Sequence, residues 1–119
     1  MKNNNRGVGI AGEKIACDYL TRNGYRIEKK NFSVRYGEID IVCWQGKTLV
    51  FVEVKTKNGH DFGEPEEMVD RRKLARVKRM GEIYMQEKRL DVLCRIDVVA
   101  IVINSEGGLE RLDHYQAVY

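Results

Sequence analysis

The chain has 119 residues, of which 43% are hydrophobic and 33% charged, and a formal net charge of +3. That balance excludes a disordered polyelectrolyte, and the length excludes two independently folded domains of ordinary size. No apolar run approaches the roughly 20 residues that a bilayer demands, and the cysteines (Cys17, Cys43, Cys94) form no C-x-x-C pair, which speaks against a zinc site or a disulfide framework.

The opening MKNNNRGVG has no signal-peptide core, so a cytoplasmic protein with reduced, buried thiols is expected. Residues 1–8 read as a flexible polar tail and residues 9–119 as one domain. From about Gly9 to Asn23 the spacing predicts a helix, with Ile15, Ala16, Tyr19 and Leu20 on one side and Lys14, Asp18 and Arg22 on the other. Gly24 is its natural stop. Tyr25 to Arg35 reads as a charged, edge-like strand. Glu38 to Gln45 and Thr48 to Thr56 are strong strand signals, rich in β-branched and aromatic residues. Between them stands Gly46-Lys47, the pattern of a two-residue II′ hairpin. Lys57 to Glu64 is a glycine-containing loop. Pro65 suits the first turn of a second helix, with Glu66 and Glu67 at its positive end, running to about Arg89. Val92 to Ile103 is a nearly continuous apolar run, as a strand covered on both faces requires. After a turn at Asn104 to Gly108, Leu109 to Tyr119 forms a last strand. The order α-β-β-β-α-β-β predicts an α/β fold with a mixed central sheet flanked by helices. Its third and fourth strands should be parallel, joined by a right-handed crossover.

The hairpin fixes a register. With Gly46-Lys47 as the turn, Gln45 faces Thr48, Val42 faces Phe51, Asp40 faces Glu53 and Glu38 faces Lys55. Strict alternation then puts all four charged residues on one face, beyond Trp44, Leu49 and Phe51, and Ile39, Ile41, Val52 and Val54 on the other. Directly opposed carboxylates destabilise a strand pair unless something neutralises them. A hard cation such as Mg²⁺ would, bound by Asp40 and Glu53 with the Val54 carbonyl in reach. Lys55 would then orient the attacking water or hold charge on a phosphate. The plain alternative is a surface ion-pair ladder in which Lys55 balances Glu38.

Two further groups bear on this choice. Arg71 to Arg79 (RRKLARVKR) holds six basic residues in nine, either an electrostatic footprint for phosphate or a solvated helix face. At helical angles, Lys73 falls within the stripe of Val69, Val77, Met80 and Tyr84, so it either snorkels to the rim or reaches the carboxylates. Glu13, on the flank of the first helix's buried face, can supply a third carboxylate. His60, in a loop, and His114, near the end, are unpaired with a candidate nucleophile, which disfavours histidine chemistry.

Asp40, a gap of twelve residues, then Glu53-Val54-Lys55 resembles the D…(D/E)-x-K signature of the PD-(D/E)xK nuclease superfamily, which includes restriction enzymes and Holliday junction resolvases. The residue before Asp40 is Ile39 rather than proline. A closer resemblance, from about Gly9 to Tyr115, is to the YraN family of small bacterial proteins. It is carried by GEKIACDYL (Gly12 to Leu20), Gly24-Tyr25, Lys30-Asn31, GEIDIV (Gly37 to Val42), VFVEVK (Val50 to Lys55), Phe62-Gly63, Lys73 and RIDVV (Arg95 to Val99). The resemblance implies a restriction-endonuclease-like fold and a candidate site of Glu13, Glu38, Asp40, Glu53 and Lys55, supported by Lys73. The expected function is Mg²⁺- or Mn²⁺-dependent hydrolysis of DNA, branched or flapped, with RNA a poorer substrate. Arg71, Arg72, Arg76 and Arg79 would add salt-dependent affinity, and a homodimer would suit a four-way junction. The competing readings are a nucleic-acid-binding accessory protein that does not cut, and a protein-interaction module using the sheet face.

Overall fold

A computed structural model describes residues 2–35, 37–59 and 71–119. The elements are α1 (Lys2–Arg22), β1 (Arg26–Val34), β2 (Gly37–Gln45), β3 (Thr48–Asn58), α2 (Arg71–Lys88), β4 (Cys94–Ile103) and β5 (Leu109–Tyr115). They form one five-stranded sheet in the order β1-β2-β3-β4-β5, antiparallel except for the parallel β3–β4 pair. The expected element order and mixed sheet are both present. The start of α2 expected at Pro65, with Glu66, Glu67, Val69, Phe62-Gly63 and His60, lies outside the described residues.

Element ends follow local chemistry. Helix α1 begins at Lys2 rather than near Gly9, so it takes in most of the segment expected to be a tail. It closes where glycine permits: Gly24 has φ +87°, its N–H bonds to Thr21 O, and the Tyr25 N–H reaches back to Leu20 O at 2.9 Å. This double closure caps the last carbonyls and packs Tyr25 on Leu20. At the hairpin Gly46 has φ +59° while Lys47 is not left-handed, as a II′ turn demands. Strand β5 stops at Tyr115, short of the expected Tyr119. Residues beyond it fold back, so that the Ala117 N–H bonds Asp97 and the Val118 N–H bonds Ile96 O.

The two sheet faces carry separate cores. Ala16 and Leu20 of α1 pack on Ile41, Cys43, Val50, Val52, Val99 and Ile101. Val77, Met80 and Tyr84 of α2 pack on Ile39, Val42, Leu49, Phe51 and Ile96. Burying each such side chain contributes about 1.5–3 kcal/mol, so both helices are held by their apolar stripes. Two glycines set how closely they approach. A Cβ at Gly12 would lie 1.9 Å from Thr56 Oγ1, and one at Gly81 would lie 2.7 Å from the Phe51 ring. Of the thiols, Cys43 is buried and burial pushes its pKa up to about 12, but Cys17 is only half-buried and Cys94 is exposed, against the expectation that all three are interior.

Candidate active site

The expected register holds from Gln45↔Thr48 to Ile41↔Val52 and then ends. Past that point β2 goes on pairing with β1 as far as Gly37, and β3 goes on with β4 as far as Asn58. The sheet therefore splits, with Asp40 at the root of the split. The expected ladder pairs Asp40–Glu53 and Glu38–Lys55 do not form. Instead, Asp40 Oδ2 accepts the Val54 N–H at 2.8 Å, a side-chain bond where a ladder bond would otherwise run.

Strict alternation fails at the same place. Ile41 belongs to the core under α1, but Ile39, two residues away, belongs to the core under α2. The neighbouring strand shares the break: Lys30 is opposite Ile41, Phe32 is opposite Ile39, and Asn31 between them has φ +54°. An irregularity of this kind re-aims side chains beside it. Glu53 keeps the expected α2-facing side beside Lys73, Lys55 lines the cavity under α1 while still reaching Lys73, and Ile39 does not take the side opposite to Glu53.

What gathers at the split is a quartet of Asp40, Glu53, Lys55 and Lys73. Glu53 is 3% exposed, and its Oε1 lies 3.2 Å from Lys73 Nζ. Its Oε2 is buried without a hydrogen-bond partner. Burial, then the hydrogen bond to Asp40 and the charge of Asp40, push the Glu53 carboxyl up to about 8 against the pull of Lys73. Lys55 is shifted down by burial and by the neighbouring Lys73. For Lys73 burial acts downward, but the hydrogen bond to Lys55 and the charge of Glu53 win and hold its pKa up. Lys73 thus reaches the carboxylates instead of snorkelling to the rim.

The remaining expected residues sit around the quartet. Glu13 of α1 is half-buried, and its carboxyl is raised by burial and by the charges of Asp40 and Glu38, with Asn31 bonding to it in the opposite sense. Glu38 is exposed, accepts a 3.3 Å bond from Ser33 Oγ and lines the smaller cavity at the site. Arg71, Arg72, Arg76 and Arg79 are exposed on α2, and of these Arg76 lines that cavity. Asn31 was read only as part of the Lys30-Asn31 pair and given no role in the site; its left-handed backbone leaves no residue-type signature beyond asparagine's tolerance for it.

Among the described residues, no three His, Cys, Asp or Glu side chains converge as a metal cage. The third carboxylate expected of Glu13 therefore does not complete a ligand set. Asp40 and Glu53 still fit a hard cation, since an orphaned, buried carboxylate oxygen beside a second carboxylate is an oxygen site short of a positive charge. Mg²⁺ commonly takes only one or two protein carboxylates and keeps several waters.

A second buried charge cluster lies across the sheet and was missed from the sequence. Asp97 is fully buried; its Oδ1 accepts Arg95 Nε (2.9 Å) and the Ala117 N–H (3.0 Å), and its Oδ2 meets His114 Nε2 (2.8 Å) and Arg95 Nη2 (3.2 Å). Tyr19 Oη lies 2.9 Å from His114 Nδ1, and Arg95 also holds Tyr25 Oη. His114 is thus held between an acid and a phenol, away from the acid–lysine quartet. A lone aspartate inside VLCRIDVVAIVI was the available signal.

A mixed sheet of this order, helices on both faces, and an acid–lysine cluster where two strands part define a protein of the restriction-endonuclease-like topology. Sequence comparison carries the assignment further. The profile of the uncharacterised protein family UPF0102 matches residues 12–101, and the chain belongs to that family. It is 40% identical to the UPF0102 protein of Syntrophomonas wolfei over 111 residues, 92% of this chain and 95% of that one. It is 42% identical to that of Syntrophus aciditrophicus over 104 residues (87% and 82%), and 38% identical to that of Dictyoglomus thermophilum over 107 (89% and 91%). The fold is consistent with a nucleic-acid-associated function. No helix among the described residues is long and apolar enough to cross a membrane.

Proposed function

We propose that this protein is a Mg²⁺- or Mn²⁺-dependent nuclease that hydrolyses phosphodiester bonds in DNA, working in the cytoplasm. The observation that carries this reading is Glu53: a carboxylate 3% exposed, with one oxygen unpartnered, next to Asp40 and two amines. A buried acid with an unsatisfied oxygen and a raised pKa, set among a second carboxylate and two amines, is the pattern that functional sites show.

In this reading Asp40 and Glu53, with the Val54 carbonyl, hold the cation, which supplies Lewis-acid polarisation and neutralises charge on the phosphate. The bond from the Val54 N–H to Asp40 Oδ2 fixes that carboxylate at the split. Lys55, whose charged form is disfavoured, orients the attacking water and can take a proton from it at Nζ. Lys73 holds the Glu53 carboxylate and the non-bridging phosphate oxygens. Glu13 and Glu38 serve at the margin as proton relays, and Arg71, Arg72, Arg76 and Arg79 attract the polyanion. Water adds across the P–O bond to leave a phosphomonoester and a hydroxyl.

The test is cleavage of linear, nicked, flapped and four-way DNA with each metal. Asp40→Asn and Lys55→Ala should each abolish cutting while the fold remains intact by circular dichroism. Failure of the wild type to cut any DNA or RNA with either metal sinks the reading. The competing reading is a DNA-binding accessory protein that does not cut, held to the polyanion by the exposed arginines of α2. In that case, salt-dependent affinity survives without a divalent requirement and is unchanged by Asp40→Asn.

A further inference from the structure

Two cavities on opposite faces of the sheet meet at Asp40, where β2 and β3 part. The larger, about 830 Å³, lies under α1 and is lined by Glu13, Lys14, Lys30, Asn31, Asp40 and Lys55, among others. The smaller, about 240 Å³, lies under α2 and is lined by Glu38, Asp40, Glu53, Lys73, Arg76 and apolar neighbours. Asp40 belongs to both walls, and Lys55 of the larger cavity contacts Lys73 of the smaller. Each side offers cations beyond the central quartet, Lys14 and Lys30 on one and Arg76 on the other, all exposed.

We propose that the substrate is a single strand of DNA that crosses the sheet at this split, with nucleotides on either side of the scissile phosphate lying in opposite cavities. This rests on the nuclease reading above. Cavities of roughly 300–1,000 Å³ hold ligands of nucleotide size, and the larger cavity falls in that range. A duplex, whose major groove alone is about 12 Å wide, cannot send one strand through a gap between two β-strands while keeping its complement paired. No aromatic side chain lines either cavity among the described residues. The cations on these walls hold the strand by its phosphates. Recognition is consequently indifferent to sequence and sensitive to salt. A flap or a gap qualifies as substrate through its unpaired segment.

Two arms test this. In the first, fluorescence anisotropy compares labelled dT12 with the dT12·dA12 duplex in Ca²⁺ across a salt series. Single-strand binding should be at least tenfold tighter. Lys30→Ala and Arg76→Ala, on opposite faces, should each flatten the slope of log affinity against log salt by roughly 0.7 for the single strand, and their combination by roughly twice that. Equal or tighter duplex binding, or a single-strand slope unmoved by either variant, overturns the proposal. In the second arm the same two DNAs are incubated with Mn²⁺. Cutting confined to the single strand supports the crossing path, and cutting of blunt duplex at an equal rate overturns it. Tight, salt-sensitive single-strand binding with no cutting refutes the nuclease reading and upholds the path.

Discussion

Two buried acids make opposite use of the same sheet. Asp97 is fully buried and takes four donors, from Arg95 twice, His114 and the Ala117 N–H, which together hold its carboxyl below the usual range although burial acts upward. Glu53, buried almost as deeply, has one ammonium on Oε1, an orphaned Oε2 and the carboxylate of Asp40 beside it, and its carboxyl rises to about 8. A saturated network fastens elements together: Asp97 ties β4, β5 and the chain end, and through His114 and Tyr19 also α1. An unsaturated one is left open to something from outside. Depth of burial does not separate the two acids; how far each is satisfied does.

The sharpest way to break this contrast is to remove each acid in turn. Asp97→Ala should destabilise the fold by about 3–5 kcal/mol, because it strands the Arg95 guanidinium among buried groups. Glu53→Gln should be neutral or mildly stabilising in metal-free buffer, since it removes a charge that the fold does not satisfy. Urea unfolding reads both, and equal losses would erase the distinction.

Next in size is the response to divalent cations. At a hundredfold excess over its dissociation constant, a cation that binds only the folded state adds about 2.7 kcal/mol. Thermal melts of the wild type should show that gain with Mn²⁺ or Mg²⁺, and Asp40→Asn should lose it. A gain of the same size in Asp40→Asn would place the ion elsewhere.

The two acids also impose opposite pH dependences. The folded pKa of Glu53 is raised, so its contribution is complete below about 4.5 and is lost as pH climbs through about 8. The folded pKa of Asp97 is lowered, so its contribution is present above the ordinary carboxylate range and is lost as pH falls through its folded value. Without metal, wild-type stability should therefore decline between about pH 5 and 8 relative to Glu53→Gln. Parallel profiles for the two proteins would show that Glu53 does not titrate in that window.

The smallest effect concerns the far end of the satisfied network. Tyr19→Phe removes the hydroxyl at His114 Nδ1, and it should cost about 1 kcal/mol, with no change in metal response. A changed metal response would couple two clusters that the comparison keeps apart.

Much of the frame was legible in the residues. Gly46-Lys47 fixed the turn and five strand pairs, Gly24 stopped α1, and the apolar run ending at Ile103 marked the covered strand. The acid–lysine set was legible too, because EVK follows the hairpin register up to Val52. The parting of β2 and β3 was not. Nothing in GEIDIV interrupts the apolar alternation, and the cause lies in Asn31 on the next strand and in the Val54 N–H taken by Asp40. Nor did the sequence show the His114–Asp97 bond, since its partners stand on different strands, 17 residues apart.

Gly12 leaves room at its Cα for a hydrogen against Thr56, next to Lys55 in the chain. That notch indexes the first helix on the sheet. Sliding the helix by one position would bring Ala11 or Glu13 to a spot where neither fits. The spacing between the helix-borne acid and the lysine is thereby set by the missing methyl, and a change at Gly12 would be felt at the proposed site though the residue carries no chemistry of its own.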